Sequence, residues 1–256
     1  MGTTTSLVIN GRQVLLYTPV GIAANAPLVL ALHPGGTNAT LWQSTLNLDA
    51  EADTGLFYVL YVNGHGNPSI VSGAVKTWWC GFSEYPCCGY AGSIKDNDVE
   101  FIRLLIERVP ELYSIDRTKI YLSGFSNGGM LSYSYIMSYP ADIAGMTILA
   151  SCYIGVSGEA VATSNKKVMH IYGTTDTVIP PAGGASSETD PYNHNDSYQF
   201  PSLANWQSFL TSKGIVFNTV ALSGVGHTFA SLQTALGVNS FESRIGDMVA
   251  GTGTWA

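Results

Sequence analysis

Residues 119–130 read Lys-Ile-Tyr-Leu-Ser-Gly-Phe-Ser-Asn-Gly-Gly-Met, and this is the most informative stretch of the chain. Its apolar start predicts a strand, and the pattern over residues 128–139 predicts a helix. Between them lies Gly-x-Ser-x-Gly, centred on Ser126, which is typical of a sharp turn from strand to helix. Such a turn presents the serine hydroxyl to a base and aims the next backbone N–H at the same point. The alternative is a glycine-rich helix cap in which Ser126 is a structural hydroxyl.

The composition favours a globular protein that binds neither nucleic acid nor membrane. The chain has 256 residues, of which 46% are hydrophobic and only 11% are charged. The net charge of −7, without a cluster of Lys or Arg, argues against nucleic-acid binding. No apolar run approaches the roughly 18 to 20 residues of a membrane span. We therefore expect neither a nucleic acid nor a membrane as a partner, and one α/β domain over residues 1–256.

The four cysteines favour an oxidising compartment. Cys80, Cys87 and Cys88 cluster, whereas Cys152 stands apart, and their spacing matches no zinc pattern. One or two disulfides are favoured over reduced thiols, with Cys80 paired to Cys87 or Cys88 as a guess and the full pairing open. The N-terminus lacks the basic and apolar regions of a signal peptide. A secreted or extracellular protein in its mature form, rather than a cytosolic one, is the resulting prediction.

Alternating strands and helices predict the architecture. A hairpin is expected over residues 6–17, because Asn10-Gly11 separates two apolar runs. Amphipathic helices are predicted at 96–113, with Asp96 or Asn97 as N-cap, and at 203–213. Continuous apolar runs predict strands at 27–33, 57–62, 119–123, 145–150, 168–172 and 217–222. The fold class is therefore α/β, with a mostly parallel, doubly wound sheet and an antiparallel N-terminal hairpin.

Two long segments with few periodic signals are predicted to be functional loops. Residues 63–94 are rich in glycine and aromatic side chains, and residues 180–201 are polar and rich in turn formers. Both follow strands, so both belong at the carboxyl edge of the sheet, where open α/β folds place their sites.

A serine nucleophile needs an imidazole base, and His227 is the candidate that fits best. It follows the last predicted strand within Gly-Val-Gly-His-Thr-Phe, after the serine in the chain, as α/β hydrolases require. His194 lies in a polar loop, where a solvated histidine is the ordinary expectation, and His170 lies inside a strand. His33 and His65 come too early in the chain for the expected order.

Asp176 is the candidate for the carboxylate that orients this base. It follows the strand at 168–172 by a few residues, within Tyr-Gly-Thr-Thr-Asp. The alternative role is an aspartate that caps a turn. Asp142, Asp190 and Asp196 compete, but none of them has a strand directly before it.

Two backbone N–H groups are expected to bind the oxyanion of the tetrahedral intermediate. One belongs to Asn127, directly after the nucleophile. The other comes from the turn His33-Pro34-Gly35-Gly36, in which proline has no N–H. We favour Gly36, with Gly35 as the alternative one residue away.

Taken together, these pieces resemble the polyhydroxybutyrate depolymerase and feruloyl esterase group. The resemblance rests on Gly-Phe-Ser-Asn-Gly-Gly-Met, on Asp-x-Asp-Val-x-Phe-Ile from Asp96, on Trp79 followed by Cys-Cys-Gly, on His-x-Tyr-Gly-Thr-x-Asp and on Gly-His-Thr-Phe, over about residues 27–229. It implies an α/β-hydrolase fold similar to carbohydrate esterase family 1, with Ser126, Asp176 and His227 as nucleophile, acid and base. Pro34 departs from the glycine that the group often has there.

The resemblance also implies what the protein acts on. Members are mostly secreted and cleave acyl esters of plant polysaccharide or bacterial polyester, so an ester substrate, possibly polymeric, is expected. No metal or cofactor is implied. Trp78, Trp79 and Phe82 are candidates for a substrate wall, with a small satellite core as the alternative. The rival functions are a serine peptidase or acyltransferase with the same triad, and a non-catalytic polymer-binding module.

Overall fold

The computed structural model describes residues 1–66, 76–80, 97–155, 165–189 and 197–253. The strands in this part of the chain are β1 (Thr3–Ile9), β2 (Arg12–Thr18), β3 (Ala26–Leu32), β4 (Tyr58–Val62), β5 (His65–Gly66), β6 (Lys76–Thr77), β7 (Ile115–Phe125), β8 (Gly145–Leu149), β9 (Lys166–Gly173), β10 (Gly184–Thr189), β11 (Ser197–Phe200) and β12 (Ile215–Leu222). The α-helices are α1 (Ala39–Leu46), α2 (Leu48–Gly55), α3 (Asp98–Leu112), α4 (Asn127–Ser138), α5 (Leu203–Ser212), α6 (Phe229–Leu236) and α7 (Phe241–Ala250). None of these helices is long and apolar enough to cross a membrane.

One eight-stranded sheet organises the fold, in the order β1-β2-β4-β3-β7-β8-β9-β12. The pairs from β4 to β12 are parallel, whereas β1 pairs with β2, and β2 with β4, in antiparallel fashion. The predicted mostly parallel sheet is confirmed. The hairpin is confirmed too, because Asn10 and Gly11 both take positive φ, 49° and 76°, at the turn between β1 and β2.

Helices cover both faces of this sheet, as a doubly wound fold requires. One core cluster includes buried side chains of α3, α4 and α5. The opposite cluster includes buried side chains of α1, α2, α6 and α7. Every residue of β4 and β8 is buried, because each of these central strands has helices above and below it. The helix predicted at 96–113 begins after Asn97, whose side chain caps the N–H of Glu100.

Four helices and two small strand pairs escaped the sequence prediction. Helices α1, α2, α6 and α7 have only eight to ten residues each, so their apolar patterns repeat too few times to stand out. The expectation that 63–94 and 180–201 lack regular structure is wrong in part, since β5 pairs with β6 and β10 with β11. Strands such as Gly-Ala-Ser-Ser-Glu-Thr have few apolar side chains, so no hydrophobic pattern predicts them. Backbone pairing with the neighbouring strand forms them instead.

The carboxyl edge of the sheet gathers the candidate site residues. Ser126 follows β7, Asp176 follows β9 by three residues, and His227 follows β12. The turn that begins at His33 follows β3, the strand next to β7. Parallel strands end on the same edge, so the topology brings side chains from distant parts of the sequence together.

Candidate active site

The backbone at Ser126 has the strained conformation of a sharp turn. Its φ of 53° and ψ of −121° lie in a region that non-glycine residues rarely occupy. Two hydrogen bonds hold it there: the Ser126 N–H donates to the Leu149 carbonyl at 3.0 Å, and Ser151 Oγ donates to the Ser126 carbonyl at 2.8 Å. Leu149 ends β8 and Ser151 follows it by two residues, so the neighbouring strand fixes the turn at Ser126.

The glycines around Ser126 are required by close packing. A Cβ at Gly128 would lie 2.3 Å from the Leu32 carbonyl oxygen, and one at Gly124 would lie 2.6 Å from the Gly128 backbone. Contacts this short force the backbone to move. The Gly-x-Ser-x-Gly pattern therefore allows helix α4 to begin directly against β3 and β7, which projects the serine from the sheet edge.

The Ser126, His227 and Asp176 side chains form one hydrogen-bonded chain. His227 Nδ1 lies 2.7 Å from Asp176 Oδ2, and His227 Nε2 lies 2.9 Å from Ser126 Oγ. A carboxylate can only accept, so Nδ1 carries the proton and donates to Asp176. In the neutral imidazole Nε2 is then an acceptor, and the serine hydroxyl donates to it. This is the tautomer that a general base for serine needs.

Asp176 is held rigidly for this contact. Its other oxygen, Oδ1, accepts hydrogen bonds from the N–H groups of Val178 at 2.9 Å and Ile179 at 2.8 Å. The Asp176 side chain is only 1% exposed, whereas that of His227 is 14% exposed. The acid is therefore enclosed and oriented, while the imidazole remains accessible at the surface of the site.

Aromatic side chains pack beside the imidazole. Phe125 stacks in a tilted arrangement on His227, with 5.2 Å between ring centroids. Trp42 and Phe229 contact Phe125 in turn, at 6.0 and 5.8 Å. This packing limits the movement of the imidazole ring and keeps its Nε2 directed at the serine.

The histidines that were set aside as bases lie elsewhere or are enclosed. His33 is fully buried, and it accepts from the Gly64 N–H through Nε2 while its Nδ1 donates to the Pro34 carbonyl. Burial lowers the pKa of His33 to about 4. His170 contacts the Tyr133 hydroxyl inside the core, and burial lowers its pKa to about 3, so the prediction of a core histidine is confirmed. His194 lies outside the described residues.

These two buried histidines should make folding stability depend on pH. Both native pKa values lie below the ordinary 6.5, so the unfolded chain binds protons that the native chain does not. Their contribution is complete above about pH 6.5 and is lost as the pH falls toward 4. Between about pH 6.5 and 5, we expect the free energy of unfolding to fall by roughly 1 to 2 kcal/mol per histidine.

Urea denaturation at about pH 7.5, 6.5 and 5 measures this slope above the range in which most carboxylates titrate. His170→Phe removes one titrating ring and should reduce the pH slope by about half. An unfolding free energy in wild type that is constant over this range would contradict the expected slope.

The structure corrects the prediction that Gly36 donates to the oxyanion. The Gly36 N–H donates to the Lys76 carbonyl at 2.9 Å, so it is already engaged. The N–H groups of Gly35 and Asn127 meet no acceptor among the residues that the structure describes. A Cβ built on Gly35 would lie 3.6 Å from Asn127 Cβ, so the two residues are neighbours across the site. Gly35 therefore replaces Gly36 as the candidate donor, and Asn127 remains the other.

A sequence profile of the phospholipase/carboxylesterase family matches residues 21–205. The chain belongs to this family. A solved relative in fold is a carboxylesterase from Bacillus cereus, with 17% identity and a TM-score of 0.62 over 94% of this chain and 95% of that one. The family membership and this neighbour confirm the predicted α/β-hydrolase fold.

Curated relatives of this carboxylesterase-family chain include proteins named for ester cleavage. A bifunctional acetylxylan esterase/xylanase of Neocallimastix patriciarum is 25% identical over 86% of this chain. Feruloyl esterase B of Piromyces equi is 29% identical over 68%, and poly(3-hydroxyalkanoate) depolymerase C of Paucimonas lemoignei is 28% identical over 54%. This chain spans 31% of the length of each of the three. The resemblance to the depolymerase and feruloyl esterase group is confirmed.

Trp78 is not a substrate wall, contrary to the prediction. It is 0% exposed, its Nε1 donates to the His33 carbonyl at 2.8 Å, and its ring packs on His33 with 4.7 Å between centroids. Trp78 belongs to the large core cluster that also contains the buried side chains of α3, α4 and α5, so the predicted alternative of a small satellite core does not hold for it either. Trp79 is partly exposed and packs on the core, and its role in substrate binding stays a prediction. Phe82 lies outside the described residues.

Some site features were missed by the sequence reasoning. Ser151 braces the nucleophile carbonyl, yet nothing distinguishes this serine from others that follow a strand. The pairing of Asn127 with the Trp78 backbone was also missed, because contacts between distant loops leave no periodic signal. Cys87 and Cys88 lie outside the described residues, so the disulfide pairing stays a prediction.

Proposed function

We propose that the chain is a serine carboxylic-ester hydrolase that works through an acyl-enzyme. The observation that carries this proposal is the continuous contact from Asp176 through His227 to Ser126, at 2.7 and 2.9 Å, at a strained turn of a carboxylesterase-family fold. Nucleophilic catalysis by serine requires an oriented base in contact with the serine hydroxyl, and Ser126 here is only partly buried.

In the first step Ser126 Oγ attacks the ester carbonyl, and its proton passes to His227 Nε2. The carbonyl oxygen becomes an oxyanion, which the N–H groups of Asn127 and Gly35 bind. His227 then protonates the leaving alcohol oxygen as the carbon–oxygen bond breaks, and the acyl group stays on Ser126. Asp176 stabilises the imidazolium that forms between these proton transfers.

In the second step water replaces the alcohol. His227 Nε2 takes a proton from the water, whose oxygen attacks the acyl carbon of the Ser126 ester. The same two N–H groups bind the second oxyanion, and His227 returns the proton to Ser126 Oγ as the carboxylic acid leaves. Each step uses one base and one pair of donors, so no further group of the chain is needed for proton balance.

The proposed substrates are feruloyl or acetyl esters of plant polysaccharide, or polyhydroxyalkanoate-type polyesters. The named activities of the acetylxylan esterase, feruloyl esterase and depolymerase relatives support this choice. We also propose that the protein works outside the cell, which its low charge content and clustered cysteines support.

A substrate panel tests the proposal. Short p-nitrophenyl esters, methyl ferulate, acetylated xylan and hydroxybutyrate oligomers should be assayed beside a p-nitroanilide peptide, with purified wild type and Ser126→Ala. We expect hydrolysis of the short esters and of at least one natural class, all absent in the variant. Hydrolysis of the peptide alone, or no ester turnover by wild type, would contradict the proposal.

A further inference from the structure

The Asn127 side chain pairs with the backbone of a distant segment, residues 76–80. Its Oδ1 accepts from the Trp78 N–H at 2.7 Å, and its Nδ2 donates to the Trp78 carbonyl at 3.2 Å. Nδ2 also lies 3.5 Å from Cys80 Sγ. Asn127 is 5% exposed, so these bonds form away from water. The side-chain amide thus pairs with both the backbone N–H and the backbone carbonyl of one residue, Trp78, as a residue of a neighbouring antiparallel strand can.

The same segment also binds the turn that supplies the other candidate oxyanion donor. The Lys76 carbonyl accepts from the Gly36 N–H at 2.9 Å, and the Lys76 N–H donates to the Thr37 carbonyl at 2.8 Å. Trp78 Nε1 donates to the His33 carbonyl at 2.8 Å. These bonds lie on both sides of Gly35, at His33 and at Gly36 and Thr37, so residues 76–80 connect the turn after β3 to the start of α4.

The outer end of the segment is anchored independently of the site. The Trp79 N–H donates to Asp98 Oδ2 at 2.6 Å, and Asp98 is a buried carboxylate that also pairs with Arg12. Ser134 Oγ donates to the Cys80 carbonyl at 2.7 Å. Asp98 of α3 therefore anchors the segment outside both turns, whereas Ser134 adds a second bond between the segment and α4.

We propose that the Asn127 side chain is a positioning residue that sets the oxyanion hole, by binding the nucleophile turn to the segment that also holds the Gly35 turn. This inference rests on the proposed ester hydrolysis. Oxyanion donors work only when they lie about 2.7 to 3.1 Å from the oxygen, and a displacement of about 1 Å can lower a rate 100-fold. The turn from His33 to Gly36 holds two adjacent glycines, so its position depends on such external bonds.

The test is Asn127→Ala, which keeps the backbone N–H and removes only the pairing. The concentration of reactive sites is first titrated with a fluorophosphonate, and kcat and KM for p-nitrophenyl acetate are then measured per titrated site. We expect kcat/KM to fall about 10- to 100-fold, carried mainly by the chemical step. Inhibition by an aryl trifluoromethyl ketone, which forms a tetrahedral oxyanion on serine, should weaken by a similar factor.

Tyr135→Phe is the matched control on the same helix. It removes a partly buried hydrogen bond to Asp142, at 2.9 Å, two turns away from Asn127. We expect its activity per titrated site and its ketone inhibition to match wild type, even where its melting temperature falls as much as that of Asn127→Ala. This comparison separates lost stability from a displaced oxyanion hole.

Several outcomes would overturn the inference. If Asn127→Ala keeps kcat/KM per titrated site within about twofold of wild type, or if its ketone inhibition is unchanged, the Asn127 side chain does not position the oxyanion hole. If the alanine variant does not fold, the same measurements are made on Asn127→Ser, whose side chain is smaller but still polar. If neither variant folds, the role of Asn127 is in stability alone. Wild type without ester turnover rejects the proposed function itself, and the inference falls with it.

Discussion

Ser126→Ala should lower kcat/KM for short esters by about 10⁴- to 10⁶-fold, the largest effect expected of any single substitution in this chain. Without the hydroxyl, no acyl-enzyme forms, and only the oxyanion donors remain to assist attack by water. The loss should appear in initial rates with p-nitrophenyl acetate, measured at high enzyme concentration so that a residual rate is detectable.

Ser138→Ala on the same helix is the control for this substitution. Its hydroxyl donates only to the Ser134 carbonyl at 2.9 Å, at the far end of α4. Wild-type rates are expected for this variant, and both proteins should melt close to wild type, since neither change opens a large cavity. Ester turnover that survives Ser126→Ala at more than about 1% of wild type would assign the chemistry to another group.

Asp176→Asn should lower kcat about 10⁴-fold while leaving substrate affinity nearly unchanged. An amide at this position would present either an N–H or a neutral oxygen to His227 Nδ1. The first places the imidazole proton on Nε2, so that the ring cannot accept from Ser126, and the second gives weaker stabilisation of the imidazolium. The measurement is kcat and KM over a range of pH, because a change of tautomer acts on kcat.

Asp142→Asn is the matched control for the acid. Asp142 competed with Asp176 on sequence grounds, and it accepts a hydrogen bond from Tyr135 at 2.9 Å rather than from an imidazole. Activity should survive this substitution within about twofold. Equal losses in the two variants, or full activity in Asp176→Asn, would remove Asp176 from the proposed mechanism.

The sequence predicted the positions of the candidate site residues relative to the sheet, because each of them lies in or next to a short, recognisable sequence pattern. The run before Ser126, the glycines around it, and the strands before Asp176 and His227 are all visible as short patterns. Once the sheet is known to be parallel, their common edge follows from topology. Local chemistry and a simple topological rule were therefore sufficient to predict that Ser126, Asp176 and His227 lie together.

The sequence did not predict the contacts that depend on long-range packing. The choice between Gly35 and Gly36 depends on which N–H meets the Lys76 carbonyl, a contact across 40 positions that no pattern records. Trp78 was expected at the surface because aromatic residues often line substrate sites, yet the structure uses its indole N–H to brace His33. In both cases the local sequence permits either outcome, and the partner across the fold decides.

The proposed mechanism requires that Ser126 carries the acyl group during turnover, and mass spectrometry of the intact and the digested protein detects and locates this adduct. Wild type is mixed with p-nitrophenyl acetate, quenched in acid within the first turnovers, digested and mapped. We expect one acetyl group per chain, located on Ser126, in the wild type and none in Ser126→Ala. Turnover without an acetyl adduct, or an adduct on another residue that disappears when that residue is replaced, would contradict it.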